Sequence, residues 1–440
     1  MRTPPAHRVT TAHLQAAYPF VSGTGTVAGG PMLGRDLLGR AFCFDPWERY
    51  ASGEITGPNM VVVGQIGRGK SSFVKSLLWR ELAFGRRAWI IDPKGEYGPL
   101  AAACGTVPLR LEPGGTVRLN PLDPIAAGTT TAAESARQPP QGRRGADLLA
   151  TVAAASLGRP LLPAERSAID LAVRTATAAA VTAAGHRRSP IVPDIIEALM
   201  EPDPARAAEI HTDAAGLAAD GRQVALELRR LVEGDLAGMF DGPTSVGVDL
   251  DAPVVVLDLS ALYRSPALGI VMICATAWLH AAMASGDGTK RLVVVDEAWA
   301  VLHDLATARW LQASFKLARA LGAAHIAVLH RLSDLRAAGS EGSEQRQLAE
   351  GLLADAETRV AFAQPPSECA AAGDLLGLSS TEQELLAQLP RGVALWKVGE
   401  QSTLVQHRVA AGEWSLIDTD GAMLDRATGG GVLDRTEGER

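Results

Sequence analysis

The sequence predicts an α/β protein in which a mainly parallel sheet is covered by helices and interrupted by an all-α insertion. From Met60 the chain reads as apolar strand, glycine-rich loop, helix and apolar strand, which is the pattern of a βαβ unit. Its strand runs are apolar on both faces, as in parallel sheets that are covered on both sides. Similar runs, such as "PVVVLDLS" and "AHIAVLHR", return only after a long Ala/Leu/Arg-rich helical region.

The bulk composition is that of an ordinary globular protein. The chain has 440 residues, so two or three compact units are expected. Hydrophobic residues make up 47% and charged residues 21% of the sequence. The net charge of −7 excludes a protein whose whole surface binds nucleic acid, since that requires clustered Lys and Arg.

The cysteines and the apolar runs bear on compartment and membrane association. Cys43, Cys104, Cys274 and Cys369 show neither CxxC nor Cys/His spacing, which predicts no zinc site, no disulfide framework and a reducing cytoplasm. The N-terminal "MRTPPAHRVTTAHLQAAYPF" has no apolar core of a secretory signal. The longest apolar run, Ala267 to Ala284, is Ala-rich and contains a histidine, so it is predicted to be a buried helix and not a membrane span.

Changes in composition divide the chain into five segments. Residues 1–45 are rich in Gly, Pro and Thr and are expected to form an N-terminal segment outside the core, apart from a short strand in "RAFCFDPW". Residues 46–126 form the first part of the core. Residues 127–240 form a Pro/Gly-punctuated linker and an all-α insertion, in which helices begin at prolines. Residues 241–412 resume the core, and residues 413–440 form a C-terminal tail.

A phosphate-binding loop is the strongest motif. Gly64, Gly69, Lys70 and Ser71 fit G-x-x-x-x-G-K-[ST], and they lie between a Val-rich strand and a helix, as this motif requires. Backbone N–H groups of such a loop and of the helix N-terminus point at phosphate oxygens, the lysine meets the β/γ charge, and the hydroxyl can ligate Mg²⁺. The predicted nucleotide-binding residues are Gly64, Gly67, Gly69, Lys70, Ser71 and Ser72.

Two adjacent acids supply what a phosphate-binding loop lacks for hydrolysis. In "RLVVVDEAW", Asp296 and Glu297 follow a strand with three valines. Asp296 is predicted to hold Mg²⁺ and Glu297 to polarise the attacking water. Both strand ends are expected to meet at the carboxyl edge of the sheet, where open α/β folds bind ligands.

A third acid, Asp92, has two interpretations. In "WIIDPKGEY" it ends a strand that is expected to neighbour the strand of the phosphate-binding loop, with Glu96 just beyond a turn. One interpretation is that these acids line the nucleotide cleft. The other is that Asp-Pro-Lys-Gly is an ordinary turn, which its Pro and Gly chemistry also predicts.

Seven motifs in a fixed order resemble a known family. The motifs are "GQIGRGKSS", "IDPKGEY", "RLNPLDP", "GMFDGPTSV", "VVVLDLS", "VVVDEAW" and "ALGAAHIAVLH". Together they resemble the ATPases of conjugative transfer and type IV secretion, closer to the assembly-ATPase branch than to the coupling proteins. Both branches belong to the FtsK/HerA superfamily of P-loop motors. The resemblance covers about Gly57 to Val409 and includes the helical insertion.

The resemblance implies a RecA-like core that assembles as a homo-hexamer, with ATP and Mg²⁺ held at subunit interfaces. It assigns Lys70 and Ser71 to the phosphates and Mg²⁺ as Walker A residues. It assigns Asp296 and Glu297 to the metal and the attacking water as Walker B residues. The resemblance also implies membrane components of a transfer apparatus as partners, so we expect a cytoplasmic protein recruited to the inner face of the membrane.

The same resemblance points to an arginine and a polar sensor. Family members carry an arginine on the helix after the Walker B strand and a γ-phosphate sensor, usually glutamine, at the end of the next strand. Arg319 and His330 occupy these places here, so both are candidate catalytic residues. Arg359, in "ETRVAF", competes with Arg319 for the role of an arginine that acts on a neighbouring subunit. An imidazole in place of the amide can still donate a hydrogen bond, but a strand-end histidine can also be merely structural.

Three functions remain open from the sequence. The first is an ATP-hydrolysing motor for DNA or protein transfer or for assembly of the apparatus. The second is a chromosomal DNA translocase or helicase, although the basic clusters at Gly85, Gly142 and His186 are small and dispersed. The third is a nucleotide-gated scaffold that does not hydrolyse ATP. The histidine in the sensor position favours this function.

Overall fold

The strands that the structure describes form one large mixed sheet. The computed structural model describes residues 29–123, 141–180 and 188–418, with gaps at 235, 246, 266, 285–287, 303–304 and 331–342. The strands are β1 Met32–Asp36, β2 Ala41–Cys43, β3 Met60–Val63, β4 Arg87–Asp92, β5 Leu109–Arg110, β6 Val254–Asp258, β7 Arg291–Val295, β8 Ala323–Leu329, β9 Thr358–Phe362, β10 Val393–Val398 and β11 Gln401–His407. These eleven strands lie in the order β2-β1-β11-β10-β9-β3-β8-β7-β4-β6-β5.

The larger part of this sheet is parallel. Every pair in the run β9-β3-β8-β7-β4-β6-β5 is parallel, whereas β10, β11, β1 and β2 extend it as antiparallel neighbours. The predicted mainly parallel α/β sheet is therefore confirmed. One expected neighbour relation is wrong: β4 does not pair with β3, because β8 and β7 lie between them.

Helices cover both faces of the sheet. They are α1 Pro46–Ala51, α2 Lys70–Leu82, α3 Gly98–Ala103, α4 Gln141–Leu157, α5 Pro163–Ala179, α6 Val192–Met200, α7 Pro204–Glu209, α8 Ala214–Glu233, α9 Leu268–Ala284, α10 Trp299–Leu302, α11 Leu305–Leu321, α12 Glu344–Asp355, α13 Pro366–Leu376, α14 Ser380–Leu386 and α15 Trp414–Ile417. Strand residues alternate between the faces: Met60 and Val62 face the core around α2 and α3, while Val61 and Val63 face the core around α9 and α11. Both faces are apolar, which explains the unbroken valine runs.

The helices α4 to α8 correspond to the predicted all-α insertion. They follow β5 in the chain and precede β6. Their buried residues belong to the same hydrophobic core as α9 and α11, and α4 packs directly against both of these helices. The insertion therefore extends the helical layer on one face of the sheet. The predicted segment limits at residues 126, 240 and 412 stay a prediction.

The N-terminal segment contributes to the core, contrary to the expectation from its loop-rich composition. β1 pairs with β11 and β2 pairs with β1, so residues before 45 extend the sheet. Phe42 and Phe44 are buried against Trp396, with ring centroids 4.8 Å and 5.0 Å apart. The sequence could not reveal β1 because its five residues are stabilised by pairing with a strand more than 360 positions later.

The longest apolar run forms the helix α9, as predicted. Its side chains Val271, Met272, Leu279 and others are buried in the core on one face of the sheet. Among the described residues, we find no helix whose length and apolarity suffice to cross a membrane.

The predicted C-terminal tail begins with an ordered contact. Glu413 accepts hydrogen bonds from Ser76 Oγ at 2.9 Å and Arg80 Nε at 2.7 Å, so this end of the chain is fastened to α2. The expectations for the first 28 residues, for most of the linker and for the final "ATGGGVLDRTEGER" lie outside the described residues.

The environment of Glu81, at the end of α2, predicts an unusual dependence of the protein's stability on pH. Within the described part of the chain, neither of its carboxyl oxygens has a hydrogen-bond partner. Burial, reinforced by the nearby Asp45 and opposed by Arg86, raises the pKa of Glu81 to about 8 from its ordinary 4.5. Between these two pH values the folded protein holds a proton that the unfolded chain releases, so stability falls as pH rises from 4.5 to 8.

Replacing this carboxyl should remove the pH-dependent loss. We expect Glu81→Gln to raise the melting temperature at pH 8 more than at pH 5, because the amide cannot ionise at either pH. Thermal unfolding of both proteins at the two pH values measures the difference. Glu384→Gln, at an exposed position of α14, is the control. An equal change at both pH values would contradict a raised pKa at Glu81.

Candidate active site

The predicted functional residues converge at one edge of the sheet. The phosphate-binding loop follows β3, His330 follows β8, Asp296 and Glu297 follow β7, and Asp92 ends β4. These four strands are consecutive in the sheet and parallel, so their carboxyl ends lie side by side. The expectation that the Walker A and Walker B strands end at the same edge is therefore confirmed.

The phosphate-binding loop depends on its glycines at two points. Gly64 has φ of 152°, and a Cβ there would lie 2.6 Å from the Cβ of Phe362 on β9. Gly69 caps α2 with φ of 107°, a left-handed conformation that favours glycine. Gly67 in the exposed middle of the loop also has positive φ, at 78°. At these three positions the loop carries no side chain, which suits the close approach of a phosphate to the backbone before the N-terminus of α2.

Neighbouring segments hold the loop in place. The backbone N–H of Gln65 donates to the carbonyl of Ala363 at 2.9 Å, just beyond β9. The N–H of Gly392, which precedes β10, donates to the carbonyl of Arg68 at 3.1 Å. Ser71 and Ser72 lie in the first turn of α2 and are partly buried. These two hydrogen bonds tie the loop to the segments that follow β9 and precede β10.

Lys70 turns back onto its own loop. Its Nζ donates to the carbonyls of Gly64 and Gln65, the latter at 3.1 Å. Burial lowers the pKa of Lys70 to about 8, against the opposing attraction of Asp296 and Glu297. A buried ammonium that is satisfied only by carbonyls can exchange them for phosphate oxygens, which bind it more strongly.

Asp296 is a buried carboxyl beside other acids. Its Oδ1 accepts from the backbone N–H of Glu297 at 2.9 Å. Burial, then the charges of Glu297 and Asp92, raise the pKa of Asp296 to about 7. Crowding of negative charge at a buried carboxyl is relieved when a cation binds there.

Glu297 is held by three donors. Its Oε1 accepts from His330 Nε2 and pairs with Lys94 Nζ, and its Oε2 accepts from Trp299 Nε1. Burial would raise the pKa of Glu297, but the hydrogen bonds from His330 and Lys94 outweigh it and lower the pKa to about 2. The residue also has φ of 52°, a left-handed conformation that is uncommon for non-glycine residues and is enriched at functional sites.

The contacts of Asp92 favour the turn interpretation. Its carboxylate accepts from the backbone N–H groups of Lys94 at 3.2 Å, Gly95 at 2.9 Å and Tyr97 at 2.9 Å. Its oxygens thus shape the turn that follows β4. Glu96 faces Lys75 at 3.8 Å. A nucleotide-binding role for Asp92 stays a prediction.

The two candidate arginines lie away from this edge. Arg319, near the end of α11, is exposed and donates to the carbonyl of Thr56 at 3.2 Å, close to the amino end of β3. Arg359 lies near the amino end of β9 and donates to the carbonyls of Ala356 at 3.0 Å and Leu376 at 2.9 Å. Neither guanidinium joins the site of its own chain, and the choice between them for a neighbouring subunit stays a prediction.

Sequence reasoning missed Lys94 as a site residue. It was assigned only to the turn, yet its Nζ also lies 3.0 Å from His330 Nε2, beside Glu297. In the sequence, Lys94 stands two residues after a strand that ends in an acid. This position places Lys94 beside Glu297 only if β4 is known to lie next to β7.

The residues at this edge fit a nucleotide with Mg²⁺. Across the described residues, no group of three or more His, Cys, Asp or Glu side chains could hold a metal by itself. Mg²⁺ bound with nucleotide ordinarily takes one or two protein ligands, and its other ligands are phosphate oxygens and water. Ser71, at the start of α2, and Asp296, at the end of β7, offer such a pair.

Comparison with known proteins gives similarity to solved structures. No protein-family model and no curated protein sequence matches the chain. The chain is similar to VirB4 of Thermoanaerobacter pseudethanolicus, with a TM-score of 0.65 and 25% identity over 87% of this chain and 98% of that chain. It is also similar to the bacterial conjugative coupling protein TrwB, in the form TrwBdeltaN70, with a TM-score of 0.52 and 15% identity over 86% of this chain and 90% of that chain.

These similarities confirm the resemblance predicted from the seven motifs. VirB4 and TrwB are type IV secretion and conjugation ATPases of the FtsK/HerA superfamily. The chain has their RecA-like P-loop NTPase fold, and its similarity to VirB4 extends over nearly the whole of that chain.

Proposed function

We propose that the chain is an ATP-hydrolysing motor that powers DNA or protein transfer, or assembly of the transfer apparatus. The observation that carries this proposal is that Lys70 and the Asp296–Glu297 pair lie at the same edge of the sheet, at the carboxyl ends of the parallel strands β3 and β7, which are separated by β8. A phosphate cradle alone would serve binding. A buried acid pair opposite the cradle serves hydrolysis.

Some residues of the site bind the phosphates and Mg²⁺, and others act on the attacking water and its proton. Backbone N–H groups of the loop and Lys70 bind the β- and γ-phosphates of ATP. Ser71 and Asp296 would hold Mg²⁺, which supplies positive charge at the phosphate oxygens. Glu297 orients the attacking water and takes its proton, and the products are ADP and phosphate. In this proposal, His330 donates a hydrogen bond to the γ-phosphate.

The assembly we propose is a homo-hexamer. Arg319 is exposed, and among the described residues it donates to one carbonyl, that of Thr56, so it is the better candidate to reach a neighbouring subunit. Arg359 is committed to two carbonyls. Membrane components of a transfer apparatus are the proposed partners, and they would recruit the motor to the inner face of the membrane.

One observation favours a second candidate, the scaffold that binds ATP without hydrolysing it. Glu297 is occupied on both oxygens, and the sensor position carries histidine. No comparable observation favours a chromosomal DNA translocase. In the basic cluster at Gly85, Arg86 pairs with Asp45 at 2.7 Å and Arg87 pairs with Asp251 at 2.9 Å.

Hydrolysis assays with and without nucleic acid separate these functions. We expect the purified chain to hydrolyse ATP in the presence of Mg²⁺, because the site contains both a phosphate cradle and a water-orienting acid. Phosphate release should be measured alone, with double-stranded DNA and with single-stranded DNA. Stimulation by DNA would assign a nucleic-acid cargo. Tight ATP binding without turnover under all three conditions would contradict the motor and support the scaffold.

A further inference from the structure

Lys94 is presented to the catalytic carboxylate by a constrained turn. It lies two residues after the end of β4, and its backbone N–H is bound by the carboxylate of Asp92 at 3.2 Å. The same carboxylate binds the N–H groups of Gly95 and Tyr97, both at 2.9 Å. An acidic side chain that caps successive N–H groups fixes the path of a turn. The backbone of Lys94 is therefore set independently of its side chain.

The P-loop helix braces this turn from the other side. Lys75 of α2 is fully buried, lies 3.8 Å from the carboxylate of Glu96 and stands over the ring of Tyr97 at 5.1 Å. Tyr97 is fully buried as well. The turn that carries Lys94 is thus connected to the helix that begins at Lys70.

The position of Lys94 restrains the carboxylate that the reaction needs. Its Nζ pairs with Oε1 of Glu297, which also accepts from His330. A carboxylate that is neutralised by a cation is a weak base, and base strength governs how well it takes a proton from water. In this arrangement Glu297 is held ready but is poorly suited to activate water.

Lys70 and Lys94 face the same region. Lys94 is close enough to Lys70 to contribute to the lowering of its pKa, after the larger effect of burial. Both ammonium groups hold acceptors of the protein itself: carbonyls for Lys70 and Glu297 for Lys94. A γ-phosphate at the cradle would bring a higher negative charge than a single carboxylate to this region.

We propose that Lys94 senses the γ-phosphate: it binds Glu297 until ATP is present, then shifts its ammonium group to the γ-phosphate and so releases Glu297 to orient water. This inference rests on the proposed ATPase function. Only the side chain moves, because the backbone is fixed by Asp92. Lys94 thereby couples the arrival of the third phosphate to the activation of the carboxylate, a role that a purely structural ion pair does not have.

The first test compares two nucleotides that differ in the γ-phosphate. We expect Lys94→Met to weaken binding of ATPγS about tenfold while the affinity for ADP changes less than about twofold, since a charge-assisted hydrogen bond to the third phosphate is lost. Lys94→Arg should retain most of the ATPγS affinity because it keeps the charge. Lys316→Met, at an exposed position of α11, is the control. Calorimetric titration of the unchanged protein and the three variants with ATPγS and with ADP gives, for each protein, the ratio of the two dissociation constants.

The second test removes the competing carboxylate. In Glu297→Gln the ammonium of Lys94 loses its anionic partner, so ATPγS should bind more tightly than to the unchanged protein, and adding Lys94→Met should abolish that gain. Equal weakening of ATPγS and ADP by Lys94→Met, or a gain that survives in the double variant, would overturn the inference. Failure of the unchanged protein to bind either nucleotide would instead overturn the proposed function, and the inference with it.

Discussion

Glu297→Gln is expected to lower ATP turnover by at least about 100-fold while the protein continues to bind ATP, since a positioned general base contributes that much or more. The amide has nearly the same shape as the carboxylate but cannot accept a proton from water. Lys94, His330 and Trp299 surround the side chain, so its place in the site is retained by packing. Steady-state phosphate release and a nucleotide-binding titration on the same preparation measure both effects.

An exposed acid provides the control for this variant. Glu384 lies at an exposed position of α14 and takes part in none of the contacts of Glu297 described above. We expect Glu384→Gln to leave turnover within a few-fold of the unchanged protein, because exposed charges contribute little. If Glu297→Gln hydrolyses ATP at the native rate, Glu297 does not orient the water.

Lys70→Ala is expected to weaken ATP binding on the order of 100-fold, since it removes charge-assisted hydrogen bonds to the phosphates. Turnover should fall with binding. The side chain that is lost is buried, and its Nζ donates to the carbonyls of Gly64 and Gln65 in its own loop, so we expect the sheet and α2 to keep their packing. A fluorescent ATP analogue titrated against both proteins measures the change.

The control for Lys70→Ala must separate a lost contact from a lost fold. Lys316→Ala removes an exposed lysine of α11 and should bind ATP as the unchanged protein does. The melting temperature of Lys70→Ala should stay close to that of the unchanged protein. Native ATP affinity in Lys70→Ala would show that the glycine loop does not form the phosphate site.

The local motifs could be predicted because their chemistry is encoded in consecutive residues. The loop from Gly64 to Ser71 needs glycines, a lysine and a hydroxyl at fixed spacing, and the sequence displays all of them. The same holds for Asp296 and Glu297 after a valine run. Parallel strands place their carboxyl ends together, so the meeting of the two motifs followed from the fold class alone.

The order of the strands could not be predicted in the same way. β3 and β4 are consecutive parallel strands joined by a helix, and the simplest expectation is that they pair. The insertion of β8 and β7 between them depends on contacts over more than 190 positions along the chain. This arrangement puts the turn of Lys94 beside Glu297, so missing the strand order also meant missing Lys94.

The N-terminal segment illustrates a second limit: β2 lies within the strand expected in "RAFCFDPW", but β1 and the pairing of both strands with the sheet were not predicted. Residues from 29 to 45 are rich in glycine and turn formers, and their strands are three and five residues long. Such strands form because β1 pairs with the edge of β11 and because Phe42 and Phe44 pack against Trp396. Neither condition is visible in the local sequence.

The central claim, that this site breaks the bond to the γ-phosphate, is tested most directly by a single-turnover measurement. The chain is mixed in excess with ATP labelled in the γ-phosphate and Mg²⁺, and the reaction is quenched over time, so that product release does not limit the signal. We predict conversion of the bound ATP to labelled phosphate by the unchanged protein and none on the same timescale by Glu297→Gln. ATP that stays bound and intact in the unchanged protein would contradict the claim.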